Sequence, residues 1–139
     1  MIEINHLTKR FEQFTAVDDL SFQVAEGEVL GFLGPNGAGK STTMKIITGF
    51  LAPTAGSVRV DGHDLASDAL AAKALMGYLP EGAPSYGDMT TLDFLRFVAE
   101  VRGYRGEELV ERVGRVLAQV ELDSVALTKF ETLPIGFKR

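Results

Sequence analysis

The 139 residues contain no cysteine, no excess of basic charge and no long hydrophobic run. Without cysteine the chain forms neither disulfides nor cysteine metal sites, which is compatible with a cytosolic location. No apolar run approaches the roughly 18 residues of a membrane-spanning helix, and no amino-terminal signal peptide is visible. We therefore expect no direct membrane span, so that any link to a membrane goes through another protein.

The net charge is −5, and the chain lacks the basic footprint that binding to a phosphate backbone requires. Nucleic acid is therefore not expected as a partner. Hydrophobic residues make up 45% and charged residues 24% of the chain, which suits one globular domain with a real core rather than a disordered chain.

The first 80 residues mix strand patterns with one clear helix. Period-two alternation predicts strands over "IEINHLTKRF" and "AVDDLSFQV", and the continuous apolar run "VLGFLG" (29–34) predicts a strand buried on both faces. "GSVRV" followed by Asp61–Gly62 predicts a strand that enters a tight turn, and "MGYLP" predicts another strand.

Two helices are predicted in the same region. The first begins near Gly39, carries Met44, Ile46 and Ile47 into the core, and ends at Gly49. The second is short and is capped by Ser67.

A helical segment follows Pro80. Thr90 and Asp93 are spaced as a capping box at the start of a helix. The predicted core faces of this helix and the next, by helical spacing, are Phe94, Phe97, Val98 and Val101, and then Leu109, Val113, Val116, Leu117 and Val120. We divide the chain into a strand-rich lobe over residues 1–80 and a helical lobe over residues 81–139.

The segment "GPNGAGKS" fits the phosphate-binding pattern G-x-x-x-x-G-K-[ST], between a predicted strand and a predicted helix. Glycines let consecutive backbone N–H groups point at one anion. Lys40 can reach the β- and γ-phosphates, and the Ser41 hydroxyl can ligate Mg²⁺. The positive end of the helix points at the same phosphates. This loop is predicted to bind a nucleoside triphosphate.

Nearly the whole chain resembles the ATP-binding subunits of ABC transporters. The resemblance rests on "LTKRF…AVDDLSFQV", "LGPNGAGKSTTMKIITGFLAPTAGSVRVDGHDL" and "GYLPE", and it is closest to the ATPases of drug- and antibiotic-export and gliding-motility systems. It implies an α/β P-loop NTPase core with an antiparallel β-subdomain, followed by an α-helical subdomain, with the core sheet truncated. Residues 1–80 would hold the β-subdomain and P-loop, and residues 81–139 the Q-loop and the helical subdomain up to the signature motif.

The resemblance also assigns roles to residues. Phe11 falls where the family stacks an aromatic ring on adenine, with Val17 beside it. Glu81 stands where most of the family has the Q-loop glutamine, and its carboxylate could reach Mg²⁺. The implied ATP-binding residues are Phe11, Val17, Gly34, Pro35, Asn36, Gly37, Ala38, Gly39, Lys40, Ser41 and Thr42; the implied Mg²⁺ ligands are Ser41 and Glu81.

The end of the chain, "ETLPIGFKR", lines up with the family's signature motif. Leu133 and Gly136 match that motif, whereas Pro134 and Ile135 do not. In the family, this motif binds the γ-phosphate of a nucleotide held by the opposite subunit. Because proline offers neither a hydroxyl nor an N–H group, Pro134 removes two hydrogen-bond donors from that contact. The loop "GAPSYGDM" follows Glu81 where the family's transmembrane subunit docks, and Tyr86 is expected to be exposed there.

The sequence contains no segment like Walker B or the switch histidine, so no catalytic residue is assigned. The expected function is that of an ATP-binding subunit of an ABC export system, present as an amino-terminal fragment that is inactive alone. Its partners would be a transmembrane permease and a second cassette, and it would lie in the cytoplasm, peripheral to the membrane through the permease. Three alternatives stay open: a soluble ABC ATPase that acts on the ribosome or in DNA repair, a degenerate non-catalytic module, and a P-loop kinase of small molecules.

Overall fold

A long β-hairpin opens the fold. In the computed structural model, which describes residues 1–80 and 86–133, the two predicted alternating segments form strands β1 (Ile2–Phe11) and β2 (Phe14–Val24). Ile4 and Leu7 are both buried although they are three residues apart, because the register of the hairpin shifts between them. His6 lies at this irregularity with φ 50°, and its Nδ1 atom is 2.7 Å from Oδ1 of Asp19 on β2.

Two further strands complete an antiparallel sheet. Strand β3 (Ala55–Val60) pairs with β1, and strand β4 (His63–Asp64) pairs with β3 through the predicted turn at Asp61–Gly62, giving the order β2-β1-β3-β4. Helix α1 (Lys40–Ile47) contributes to the core of this sheet. The buried members of that core are Ile4, Leu7, Val17, Ile46, Ile47 and Val58.

The predicted end of α1 is confirmed. Gly49 donates a backbone hydrogen bond to Ile46 (2.9 Å) and Phe50 donates one to Lys45 (2.8 Å), which is the Schellman arrangement of a helix C-terminus. The short second helix, α2 (Ala69–Ala74), takes Asp68 rather than the predicted Ser67 as its N-cap residue.

Two predicted strands and one predicted core residue are wrong. Neither residues 29–34 nor residues 76–80 form a strand, and Val29 and Leu33 are 97% and 93% exposed. A strand buried on both faces needs hydrogen-bonded neighbours on both sides, and no strand among the described residues pairs with either segment. Met44 is also exposed rather than in the core, because the buried face of α1 is formed by Thr43, Ile46 and Ile47.

The remaining described residues form a second compact unit that begins at Leu79. It contains helices α3 (Thr91–Val101) and α4 (Gly106–Gln119) and two single 3₁₀ turns, Asp123–Val125 and Phe130–Thr132. The N-cap half of the predicted capping box is confirmed, since Asp93 donates its backbone N–H to Oγ1 of Thr90 at 3.1 Å. The carboxylate of Asp93 accepts from the Thr90 hydroxyl (2.7 Å) rather than from the Thr90 backbone N–H that would complete the box. No helix in the described ranges is long and apolar enough to cross a membrane.

The predicted core face of α3 is wrong at three of its four residues; the fourth, Phe94, is half-buried and packs edge-on against Phe130 at 5.2 Å. Leu92, Leu95 and Ala99 pack against the buried residues Leu109, Val113 and Leu117, whereas Phe97, Val98 and Val101 are exposed. Helix α3 is apolar over more than half of its circumference, so helical spacing alone does not select the buried stripe. On α4, Leu109, Val113 and Leu117 are buried as predicted, while Val116 and Val120 are exposed.

We predict that an isolated polypeptide of these 139 residues self-associates through residues 29–33. Leaving a large apolar side chain exposed costs about 1.5–3 kcal/mol, and Val29 and Leu33 are almost fully exposed. Light scattering at increasing concentration should show oligomers that a Val29→Thr, Leu33→Thr variant forms less readily. A Val110→Thr, Val120→Thr variant is the control, since these side chains are 59% and 54% exposed on or beside α4. A soluble monomer at high concentration would contradict the prediction.

Candidate functional site

The glycine-rich loop leads directly into the amino terminus of α1. Gly39 is the N-cap residue of that helix, with φ 85°, and no side chain caps the helix. The first hydrogen bond of the helix runs from the N–H of Thr43 to the carbonyl of Gly39 (2.8 Å). No acceptor in the described part of the chain takes the N–H groups of Lys40, Ser41 or Thr42. These three consecutive amides therefore provide a set of donors for an anion.

The start of α3 shows how the same chain satisfies such groups elsewhere. There Thr91 donates to the carbonyl of Thr128 (3.3 Å), Leu92 donates to that of Ala126 (2.8 Å), and Asp93 donates to the Thr90 hydroxyl. Asp93 also places a negative charge in the first turn of α3, whereas the first turn of α1 has no acidic residue. The amino end of α1 thus keeps its donors and its partial positive charge available.

Gly39 fixes the loop against strand β2. A Cβ atom at this position would overlap the backbone carbonyl oxygen of Ala16 and lie 3.3 Å from Cγ2 of Val17. Only glycine combines this close approach with the left-handed φ. Val17 is 7% exposed and belongs to the core beneath the loop. The resemblance places Val17 beside the nucleotide. In the structure its side chain lies under the loop, and little of its surface is open to a ligand.

Lys40 places its ammonium group against the loop itself. Its Nζ atom donates to the carbonyl oxygen of Gly34 (2.6 Å) and to that of Pro35 (2.7 Å). A positive charge is therefore held next to the loop carbonyls, close in sequence to the three available amides. An entering phosphate can take over one or both of these donor bonds, since charge-assisted bonds to an anion are the stronger ones.

The three hydroxyl residues after Lys40 differ in exposure. Ser41 is exposed, Thr42 is half-buried and Thr43 is buried in the core. Ser41 is thus the hydroxyl most open to a ligand, which fits its predicted part in holding Mg²⁺. No cluster of three or more histidine or acidic side chains suited to a metal ion occurs within residues 1–80 and 86–133. Among the described residues of the loop and helix α1, Ser41 is therefore the side chain placed to ligate a metal.

The aromatic ring of Phe11 lies at the end of β1, opposite Phe14 of β2. It is 44% exposed, which leaves ring surface for a planar base. The Nζ atom of Lys9 lies 5.1 Å from the ring centroid, within the range of a cation–π interaction. Sequence analysis did not single out Lys9. The signal was present in "LTKRF", because residues two apart on a strand face the same side.

The charges around the loop suit a polyanion. No aspartate or glutamate occurs between Glu28 and Asp61, while Lys40, Lys45 and Arg59 lie in that interval. The acidic residues of the chain therefore all lie outside this interval, so that residues 29–60 themselves carry no carboxylate. Together with the three amides and the Lys40 ammonium, this composition fits a nucleoside triphosphate.

Some predicted site residues are brought together and others lie elsewhere. The structure joins Val17 to Gly39 and Lys40 to Gly34 and Pro35, all in the first unit. Glu81 and Gly136 lie outside the described residues. In the second unit, Leu133 is buried at 4% exposure, and Tyr86 is exposed with its ring edge-on to Phe97 at 6.0 Å.

Comparison with protein families matches residues 17–139 to the model described as "ABC transporter". Over all 139 residues the chain is 42% identical to the probable multidrug ABC transporter ATP-binding protein YbhF of Escherichia coli, of which it covers 24%. It is 34% identical to the linearmycin resistance ATP-binding protein LnrL of Bacillus subtilis, covering 100% of this chain and 45% of that protein. The chain thus spans about a quarter to a half of the length of these curated relatives.

Solved structures confirm the fold class predicted from the sequence. An ATP-binding subunit of an ABC transporter superposes with a TM-score of 0.87 at 28% identity, over 99% of this chain and 57% of that one. The cassette MJ0796, in a dimeric post-hydrolysis state bound to ADP and Pi, superposes with a TM-score of 0.84 at 24% identity, over 99% of this chain and 65% of that one. At this identity the second likeness bears on the fold alone.

We predict that Gly39→Ala destabilises the protein more than Gly37→Ala does. The two glycines have nearly the same φ, 85° and 84°, but a Cβ at Gly37 has nothing within 4 Å, whereas one at Gly39 meets the Ala16 carbonyl. Both variants carry the left-handed strain of about 1–2 kcal/mol, and only Gly39→Ala must also shift backbone. Chemical denaturation should show the larger loss for Gly39→Ala, and equal losses would contradict the close contact with β2.

Proposed function

We propose that this chain, which belongs to the ABC transporter family and is an ATP-binding domain of that family, binds Mg·ATP at the loop that leads into α1. The observation that carries the proposal is the set of three available amides at Lys40, Ser41 and Thr42 beside the Lys40 ammonium. Hydrogen bonds to a charged group contribute about 1.5–3 kcal/mol each, whereas the helix dipole adds about 0.3–1 kcal/mol. The amides and Lys40 therefore dominate the binding of the phosphates.

The other residues of the proposed site have separate tasks. Phe11 stacks on the adenine, and its exposed ring supports this role. Ser41 and Glu81 hold Mg²⁺, which supplies charge neutralisation of the triphosphate when it is bound. The backbone of residues 34–39 encloses the phosphates, and Val17 supports that backbone from below.

In the whole protein, we propose that ATP hydrolysis drives export through a membrane partner. The names of similar proteins support this direction, since they include a probable multidrug ABC transporter ATP-binding protein, a linearmycin resistance ATP-binding protein and a Nod factor export ATP-binding protein. The proposal assigns no catalytic base to these 139 residues. Leu133 and Gly136 belong to a signature motif that grips the nucleotide of a second cassette, and the exposed Tyr86 contributes to docking of the permease. These partners would place the protein at the cytoplasmic side of the membrane.

Replacing Lys40 by alanine is expected to reduce Mg·ATP binding below detection, because the change removes the ammonium group that lies against the loop carbonyls. Lys45→Ala is the charge-matched control, since Lys45 is exposed in the last turn of the same helix. Isothermal titration calorimetry with Mg·ATP on the whole protein and on both variants measures the change in affinity. Unchanged affinity in Lys40→Ala would refute the assignment of the loop.

Binding of ATP is expected to depend strongly on Mg²⁺, because the Glu81 carboxylate repels the γ-phosphate when no metal lies between them. In Glu81→Gln the ratio of affinities with Mg²⁺ and with EDTA should shrink, mainly through tighter binding in EDTA. Glu107→Gln, on the exposed surface of α4, controls for the loss of one negative charge. An unchanged ratio in Glu81→Gln would place that carboxylate away from the nucleotide.

A further inference from the structure

Lys9 makes two contacts with its ammonium group, one structural and one with the candidate adenine platform. Its Nζ atom donates to the carbonyl oxygen of Ala52 at 2.8 Å and lies 5.1 Å from the centroid of the Phe11 ring. Holding a long lysine side chain over a ring costs rotamer entropy. The hydrogen bond to Ala52 offsets this cost, because it holds the side chain in place. The cation is thus held at one face of Phe11.

The hairpin puts this pair on the same side as the phosphate loop. Lys9 of β1 pairs with Val17 of β2, and directly paired residues of an antiparallel ladder share one face of the sheet. Gly39, at the start of α1, approaches the backbone of Ala16 and the side chain of Val17 on β2. Lys9 is therefore paired with the core residue beneath the loop, and its ammonium lies over the aromatic ring at the end of β1.

We propose that Lys9 is a positioning residue for recognition of the base. By occupying one face of the Phe11 ring, its ammonium fixes the orientation of the ring and leaves the other face to adenine. A ring ordered in advance loses less conformational freedom when the base stacks on it. This inference rests on the proposed binding of ATP and adds a determinant of affinity for the base rather than for the phosphates.

Two other roles for Lys9 make different predictions. If Lys9 only tethers Ala52 to the hairpin, its removal changes stability and affects every ligand of the site alike. If its ammonium contacts the phosphates, its removal weakens inorganic tripolyphosphate as much as ATP. A positioning role weakens ATP alone, because tripolyphosphate has no base to stack on Phe11.

The test measures binding of Mg·ATP and of Mg·tripolyphosphate by the encoded protein with Lys9→Met, Lys9→Gln and Lys9→Arg. Methionine keeps an apolar stem, glutamine keeps a donor for the Ala52 carbonyl without the charge, and arginine keeps the cation over the ring. We expect about two- to five-fold weaker ATP binding in the Met and Gln variants. Tripolyphosphate affinity should be unchanged in both, and the Arg variant should bind ATP like the wild type.

A double-mutant cycle with Phe11→Ala supplies the second readout, which a purely structural role would not produce. Once the ring is absent, Lys9→Gln should have no further effect on ATP affinity. Equal losses for ATP and tripolyphosphate, the same loss in the Phe11→Ala background, or unchanged ATP affinity in Lys9→Gln would each overturn the inference. Failure of the wild type to bind ATP would instead refute the proposed function, so the two failures are distinguishable.

Discussion

The contact between Gly39 and the backbone of Ala16 is the constraint on which the proposed site depends. It fixes the point at which an irregular loop becomes helix α1, and it fixes that point against strand β2. Since the residue at the contact has no side chain, the amides of Lys40, Ser41 and Thr42 follow it without any capping group. A bulkier residue at position 39 would move all three donors together.

The hairpin therefore carries both parts of the proposed site. Strand β2 carries Ala16, which Gly39 of the loop approaches. Strand β1 ends at Phe11 and carries Lys9, whose ammonium lies over the Phe11 ring. The register of the strands places Lys9 opposite Val17, so both features lie on one face. In the proposed site, the hairpin thus sets the spacing between the element assigned to the base and the loop assigned to the phosphates.

Local signals predicted much of this arrangement, and long-range pairing explains most of what they missed. The N-cap at Thr90, the end of α1 at Gly49 and the turn at Asp61–Gly62 each depend on a few neighbouring residues, and all were predicted correctly. The strands predicted at 29–34 and 76–80 depend on partners distant in the sequence, which an apolar run does not specify. For the site, the motif predicted the roles of Lys40 and Ser41. The difference between the two helix starts is visible only in the fold: the first amides of α3 donate to Ala126 and Thr128, whereas those of α1 have no such acceptors among the described residues.

The most direct test of the account is a titration with Mg·ATP followed by backbone amide ¹H–¹⁵N NMR. The account predicts downfield shifts and slower solvent exchange for the amides of Lys40, Ser41 and Thr42, as they gain a phosphate acceptor. The amides of Thr91, Leu92 and Asp93 serve as an internal reference and should not change, because they already have acceptors within the second unit. Saturation with nucleotide while the three α1 amides remain unshifted would contradict the central claim.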